Sequence, residues 1–524
     1  MSASPRVIAG SALAVLLSST ILHAQVTAPQ VWEDWQATLT AGGAADVTIG
    51  AEDYAGGVLT ISDLAFTMAE DDATIAVTLP QLVLTEQSDG SVAITMAERM
   101  PVHVTTRAEE DDAPTEVHLE AEQPGLAITA TGTRDALHYA LDVPLFALNL
   151  LSLDVEGRDY EAAGRFAITG ITGDYASTTA AELIDVDYDI AAASSDFTLD
   201  LTEVDTTAKP VRNIALSITG SVAAPQSAAV MSLPEGAAGL DDAAALAAGF
   251  TLDGSQSAGA TSVTFTVSEN GSVTEGSFDA EATTATAKAG GVDMSYGMEM
   301  TGLAFALSGG EMPFPLNFTA ARVGVDVAMP IAVADAPSPF ALDIDLADLA
   351  LNEEVWALFD PNKTIPRDPA TLRVDLGGLA SVADPDAPRA APAAPQSKPG
   401  MTAPAAAADD DMPFPALVHS LDINDITIAF GGAKIAATGA LTFDPTDWAG
   451  ENVPMPVGTI NLGLNGLNGL AQKLSALGLI PADQVMMGMM MLGMFTVPTG
   501  DDEMTSEIEF TEDGGITANG QPVL

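Results

Sequence analysis

The chain has 524 residues, no cysteine, and 17 Lys and Arg against 73 Asp and Glu, for a net charge of −56. That balance argues against nucleic acid as a partner, whose binding needs clustered Lys and Arg, and the missing Cys rules out disulfides, thiolate metal sites and thiol nucleophiles. With 47% hydrophobic residues and a mean hydropathy of +0.25, disorder does not explain the acidity, so apolar surface has to be hidden in a core or a groove.

The first 24 residues have the plan of a secretory leader. Arg6 is the positive start, Val7 to Leu17 carry no charge, and Leu22-His23-Ala24 is a cleavage site. Residues 1–24 are therefore expected to be removed and the rest exported to the periplasm. The apolar stretch is shorter than the ~20 residues that span a bilayer, so no transmembrane span is expected after cleavage. No Cys follows it to carry a lipid anchor.

Val31, Trp32, Trp35 and Leu39 then fall at helical spacing, stopped by Gly42-Gly43. From Asp46 to about Thr219 the period changes to two. Asp185, Asp187 and Asp189 interleave with Val186, Tyr188 and Ile190, which puts carboxylates on one face of a strand and apolar groups on the other. Short turn sequences such as Ser88-Asp89-Gly90 favour antiparallel neighbours. The prediction is a mainly β fold: a large, antiparallel, curved sheet in meander order, with a few short helices, two of them near the C-terminus. Residues 221–258, rich in Ala, Gly, Ser and Pro, are predicted to interrupt this body, residues 25–383, as a loop insertion with a helix from Asp241 to Ala248.

Residues 384–411 hold six Pro and end in Asp409-Asp410-Asp411, the composition of an extended or disordered linker. Residues 412–524 form a C-terminal β segment expected to pack on the main body. There, Leu464, Leu467, Leu470, Leu474 and Leu477 suggest one helical run, and a second helix is predicted from about Ala482 to Phe495. In the second, Met487, Met490, Met491 and Met494 share a face. They are expected to be buried against the sheet or a ligand, and are the candidate ligand-binding residues, since flexible Met side chains suit a lipid or a partner helix.

Catalytic signals are missing. After the leader the histidines are His103, His118, His138 and His419, with no pair at the i, i+4 spacing of a helical zinc site. His118 is expected to be solvated on a polar strand face. There is no Gly-x-Ser-x-Gly elbow and no phosphate-binding loop. The Asp185, Asp187 and Asp189 row is too widely spaced for one Ca²⁺, at about 6.6 Å between same-face neighbours. No catalytic residue, cofactor or metal ligand is assigned.

Trp32-Glu33-Asp34-Trp35, Trp356-Ala357-Leu358-Phe359-Asp360-Pro361, Pro366-Arg367-Asp368-Pro369, Gly478-Leu479-Ile480-Pro481 and Ala518-Asn519-Gly520, in that order, resemble the bacterial family called domain of unknown function 2125. The resemblance implies an envelope protein of Gram-negative bacteria and carries no activity or site residues. The architecture also resembles AsmA-like exported β proteins, whose folded-over sheets hold lipids. Three readings follow: a non-catalytic binding or scaffold protein for a lipid or other apolar ligand, a structural or interaction protein with a closed core, and a carboxylate hydrolase of envelope glycans. An open apolar groove would favour the first, a filled sandwich the second, and two buried carboxylates facing each other the third.

Overall fold

The computed structural model describes residues 26–41, 44–70, 73–106, 114–155, 160–180, 183–205, 212–234, 242–334, 336–382, 416–444 and 455–523. The expected leader and the linker 384–411 lie outside them. Among the described residues, twenty-nine strands join in one antiparallel sheet, with five helices: α1 Ala28–Ala41, α2 Asp242–Ala247, α3 Glu353–Trp356, α4 Leu467–Ala476 and α5 Ala482–Phe495. This is the mainly β, antiparallel meander that the period-two pattern predicts.

Many consecutive strands are two collinear halves of one long strand. Tyr160–Ala180 pairs at one half with Leu183–Ala191 (Tyr175 opposite Tyr188) and at the other with Ser194–Asp205 (Phe166 opposite Phe197). Those two halves pair in turn with Gln226–Pro234 and Arg212–Ala223, which pair with Thr251–Ala258 and Thr261–Glu269. The same rule carries the ladder through Asp293–Gly309 and Leu316–Pro330 to Ala370–Val382. That strand pairs directly with Ala416–Phe430, so both sides of the linker belong to one ladder. The close strand contacts run between ladder neighbours, with a weaker one from Leu316–Pro330 across to Ala370–Val382.

The buried core sits at the N-terminal end. Val31 and Trp32 of α1 lie on Leu59, Ile61, Leu82, Leu84 and Ile94. The Ala28 N–H donates to Glu86 Oε1 (3.0 Å), and Thr27 N–H donates to Gln30 Oε1 (3.0 Å). These bonds satisfy donors that the first turn leaves open and place a carboxylate at the positive end of the helix.

Three expectations are corrected. Residues 221–258 are not an insertion: they hold the end of Arg212–Ala223 and the whole of Gln226–Pro234 and Thr251–Ala258, with α2 between them. Their small residues hid the strand pattern because they face small partners, Ala229 lying opposite Gly254. The run from Leu464 is not all helix. Val457–Asn465 is a strand, and α4 starts after Gly466, whose φ of 70 breaks the ladder. Met487, Met490, Met491 and Met494 are not buried: they are 56–72% exposed, and α5 has no buried residue. A helix apolar on every side shows that something can cover it, not that this sheet does.

Candidate functional site

The sheet bends where single residues change the strand parity. In Tyr160–Ala180, Phe166 and Ile168 alternate onto one face. Gly170 (φ 61) then breaks the alternation without shifting the register against the neighbouring strands, so that Ile171 and Tyr175 fall on the same face. In Asp293–Gly309, Gly302 (φ 62) does the same between Met300 and Leu303. A single left-handed residue of this kind kinks the strand in register with its neighbours, and that conformation suits glycine. Between these two strands the others break at the same level: at Ala192-Ala193, Ala224-Pro225, Gly259-Ala260 and Glu281. Backbone bonds carry the ladder across the breaks, among them Ala193 N–H to Thr169 O, Ala224 N–H to Ala193 O, and Glu281 N–H to Thr301 O, at 2.8–2.9 Å.

Paired residues of an antiparallel ladder share a face. On one side of the bend a row runs through Leu148, Phe166, Phe197, Gly220, Val263 and Phe278. The Phe197 ring fills the place where a Gly220 Cβ would stand, 2.3 Å from it. On the other side the row is Tyr139, Tyr175, Tyr188, Ala229, Gly254 and Ala287. Large apolar groups thus flank a floor of small ones. At the bend this face opens into a cavity of about 790 Å³, lined by Phe166 and Ile168 from one side and by Ile171, Ile190, Pro225 and Ala285 around it. That size lies in the range of small-molecule sites, about 300–1,000 Å³. Polar groups are few: Ser227 Oγ lies 3.3 Å from Tyr188 OH on this face.

α1 closes the N-terminal end of the face. Trp35, Tyr139 and Tyr175 follow one another at ring separations of 6.3 and 6.0 Å, and Tyr139 OH donates to Asp34 Oδ2 (3.0 Å). Burial raises the pKa of both Asp34 and Tyr139, the Asp34 charge adding to the rise of the phenol. This pair is a buried anchor with nothing nucleophilic beside it.

The opposite face is acidic. Asp185, Asp187 and Asp189 are exposed, and Asp185 accepts from Ser232 Oγ (2.6 Å). Asp326, Asp343, Asp375 and Asp425 stand opposite one another across four strands. Burial raises the Asp343 pKa, Arg373 lowers it, and Asp375, Asp345 and Asp326 raise it further. Burial first and neighbouring like charges second explain that shift without a reaction.

Trp356, Asp360 and Arg367 form a closed knot. Asp360 is wholly buried and accepts from the Thr364 N–H (2.8 Å), the Ile365 N–H (2.7 Å) and Arg367 Nη1 (2.7 Å). The Arg367 guanidinium lies 4.2 Å above the Trp356 ring, which stacks on Phe430. These motif residues hold a loop in place.

The ladder also gathers residues that are distant in sequence. Arg99–Thr106 pairs with Thr115–Glu122, and His103 falls opposite His118. His103, Glu116 and His118 offer ligand atoms all within 4.8 Å of one another, the one such group among the described residues. The i, i+4 spacing of a helical site does not find them, because strands bring residues together by register rather than by spacing in the sequence.

The model of a protein family described as "Uncharacterized protein conserved in bacteria (DUF2125)" matches residues 254–523. The match contains the Trp356–Arg367 knot and both C-terminal helices, and leaves α1 and the first strands outside. No curated protein and no solved structure matches the chain.

Proposed function

From the premise that the chain belongs to this family of uncharacterised bacterial proteins, we propose that it is an exported periplasmic protein that binds a lipid or another apolar ligand without catalysis. One observation carries the reading: an apolar face continuous across the ladder that opens at its bend into the 790 Å³ cavity. Phe166, Ile184 and Tyr296 on this face are 37–43% exposed. Exposed apolar area of this kind marks a binding surface, and each buried CH₂ of an acyl chain would contribute about 0.8 kcal/mol. A net charge of −56 disfavours grip on an anionic headgroup and is neutral toward the chain itself. Met487, Met490, Met491 and Met494 are proposed as a second apolar contact for that ligand or its donor, being exposed and flexible.

The test is native mass spectrometry of protein purified gently from its own envelope, beside Phe166→Asp and Ile190→Asp on the apolar face and Thr198→Asp on the polar face. A co-purified apolar adduct should survive Thr198→Asp and be lost in the other two. Wild-type protein that carries no adduct and binds no fluorescent fatty-acid probe overturns the proposal.

A further inference from the structure

The polar face carries a cluster independent of the apolar cavity. His103 and His118 are cross-strand partners, with ring centroids 4.3 Å apart and planes inclined by 16°. Both side chains belong to half-buried residues. The Nε2 of His103 is shielded from solvent and makes no hydrogen bond. A buried polar atom without a partner costs about 1–3 kcal/mol, so its persistence calls for an occupant. Glu116 lies two residues before His118, hence on the same strand face. All three residues bring a ligand atom within 4.8 Å of the others.

We propose that His103, Glu116 and His118 bind one divalent transition-metal ion, with Zn²⁺ as the best match. Two neutral imidazoles and one carboxylate are a borderline donor set, suited to Zn²⁺ at about 2.0–2.2 Å. Ca²⁺ and Mg²⁺ prefer oxygen donors throughout. An ion between the rings gives His103 Nε2 the partner it lacks and needs side-chain rotation rather than movement of the strands. Three protein ligands leave a fourth position for water or a neighbouring side chain. Asp154 is opposite Glu116 on the next strand, and Ser152 Oγ donates to its Oδ2 (3.2 Å). Asp154 thus adds negative charge beside Glu116, which favours a cation there. The ion would tie Arg99–Thr106 to Thr115–Glu122 at a point where no disulfide can.

The experiment is calorimetric titration of chelator-stripped full-length protein with Zn²⁺, in excess Ca²⁺ so that scattered carboxylates are occupied. One tight equivalent is expected. His103→Gln and His118→Gln, which keep polarity and approximate volume, should each weaken it by about a hundredfold or more, and Glu116→Gln by at least about tenfold, since even indirect partners of such ligands are worth about 10–100-fold. Circular dichroism verifies that the variants are folded. X-ray absorption at the zinc edge of the wild type needs no variant and should show two imidazoles. An all-oxygen shell, or an isotherm unchanged in both histidine variants, overturns the proposal, as does a wild type without a tight equivalent.

Discussion

Asp360 holds the loop after α3 with a single carboxylate. Burial alone would raise its pKa. The Ile365 N–H, the Arg367 guanidinium and the Thr364 N–H outweigh burial and bring it down to about 2 from an ordinary value of 3.8. A lowered folded-state value means that its stabilisation is fully present above the unfolded value and is lost as pH falls from about 4 to about 2. Asp360→Asn should lower the thermal midpoint at pH 7, because one amide cannot accept from both the Thr364 and Ile365 N–H groups and still face Arg367. The gap between mutant and wild-type midpoints should shrink as pH falls through that window. Asp343 has the opposite sign. Its raised pKa favours the protonated form in the fold, so its relative contribution is best below the unfolded value and is lost as pH rises through the folded one. Asp343→Asn should therefore stabilise the fold at pH 7, by under about 1 kcal/mol after allowance for solvent screening, and raise the midpoint accordingly. A fall in the midpoint would show that Arg373 outweighs the neighbouring aspartates.

At the scale of the element, α5 separates what a sequence pattern states from what it leaves open. Its span, Ala482 to Phe495, follows from a run of apolar helix formers after Pro481, and the structure has those bounds. Its surroundings do not follow, because the pattern of one segment does not say which other segment lies on it. Met490 is 69% exposed, so Met490→Ala should change folding stability by no more than about 0.5 kcal/mol, the surface range, rather than the ~2–5 of a buried Met. A large drop in a chemical-denaturation measurement would place a cover on α5. The bends were illegible for a related reason. Gly170 and Gly302 look like ordinary turn glycines, and only the strands on either side show that the chain continues straight through them. Gly302→Ala should cost at least ~1–2 kcal/mol, from a left-handed φ of 62 and from a Cβ built 2.3 Å from the Glu281 side chain. Denaturant melts measure it, and a neutral result would mean the bend has other support. Residues 221–258 lack a strand signature because Ala, Ser and Gly have weak strand preference by themselves, and become good strand residues only opposite one another on the floor of a bend.

For the whole molecule, the consequence of a single ladder is that stability is local. Each strand is held by its neighbours, and the densest packing lies at one end, where Trp32 is 2% exposed among Leu59, Ile61, Leu82 and Leu84. The meander was legible because period two and short turns specify neighbour pairing, whereas the open apolar face was not, since a filled sandwich has the same alternation. In a compact core, removing a large anchor loosens everything together. In a chain of nearest-neighbour contacts its effect decays along the ladder. Trp32→Ala should cost the ~3–5 kcal/mol of a large buried aromatic, reduced by whatever burial of the partnerless indole Nε1 already costs the wild type. Amide hydrogen exchange by mass spectrometry tells where that loss is felt. Faster exchange is expected in Val58–Glu70, Ala73–Glu86 and Val92–Met96, which lie against α1. Wild-type rates are expected in Ala370–Val382, Ala416–Phe430 and Ala433–Thr442, many rungs away. Equal acceleration in both sets would mean that the sheet unfolds as one unit, which requires contacts beyond those between ladder neighbours. An open apolar face would then be a poor description of the molecule, and the cavity at its bend a poor candidate for a ligand.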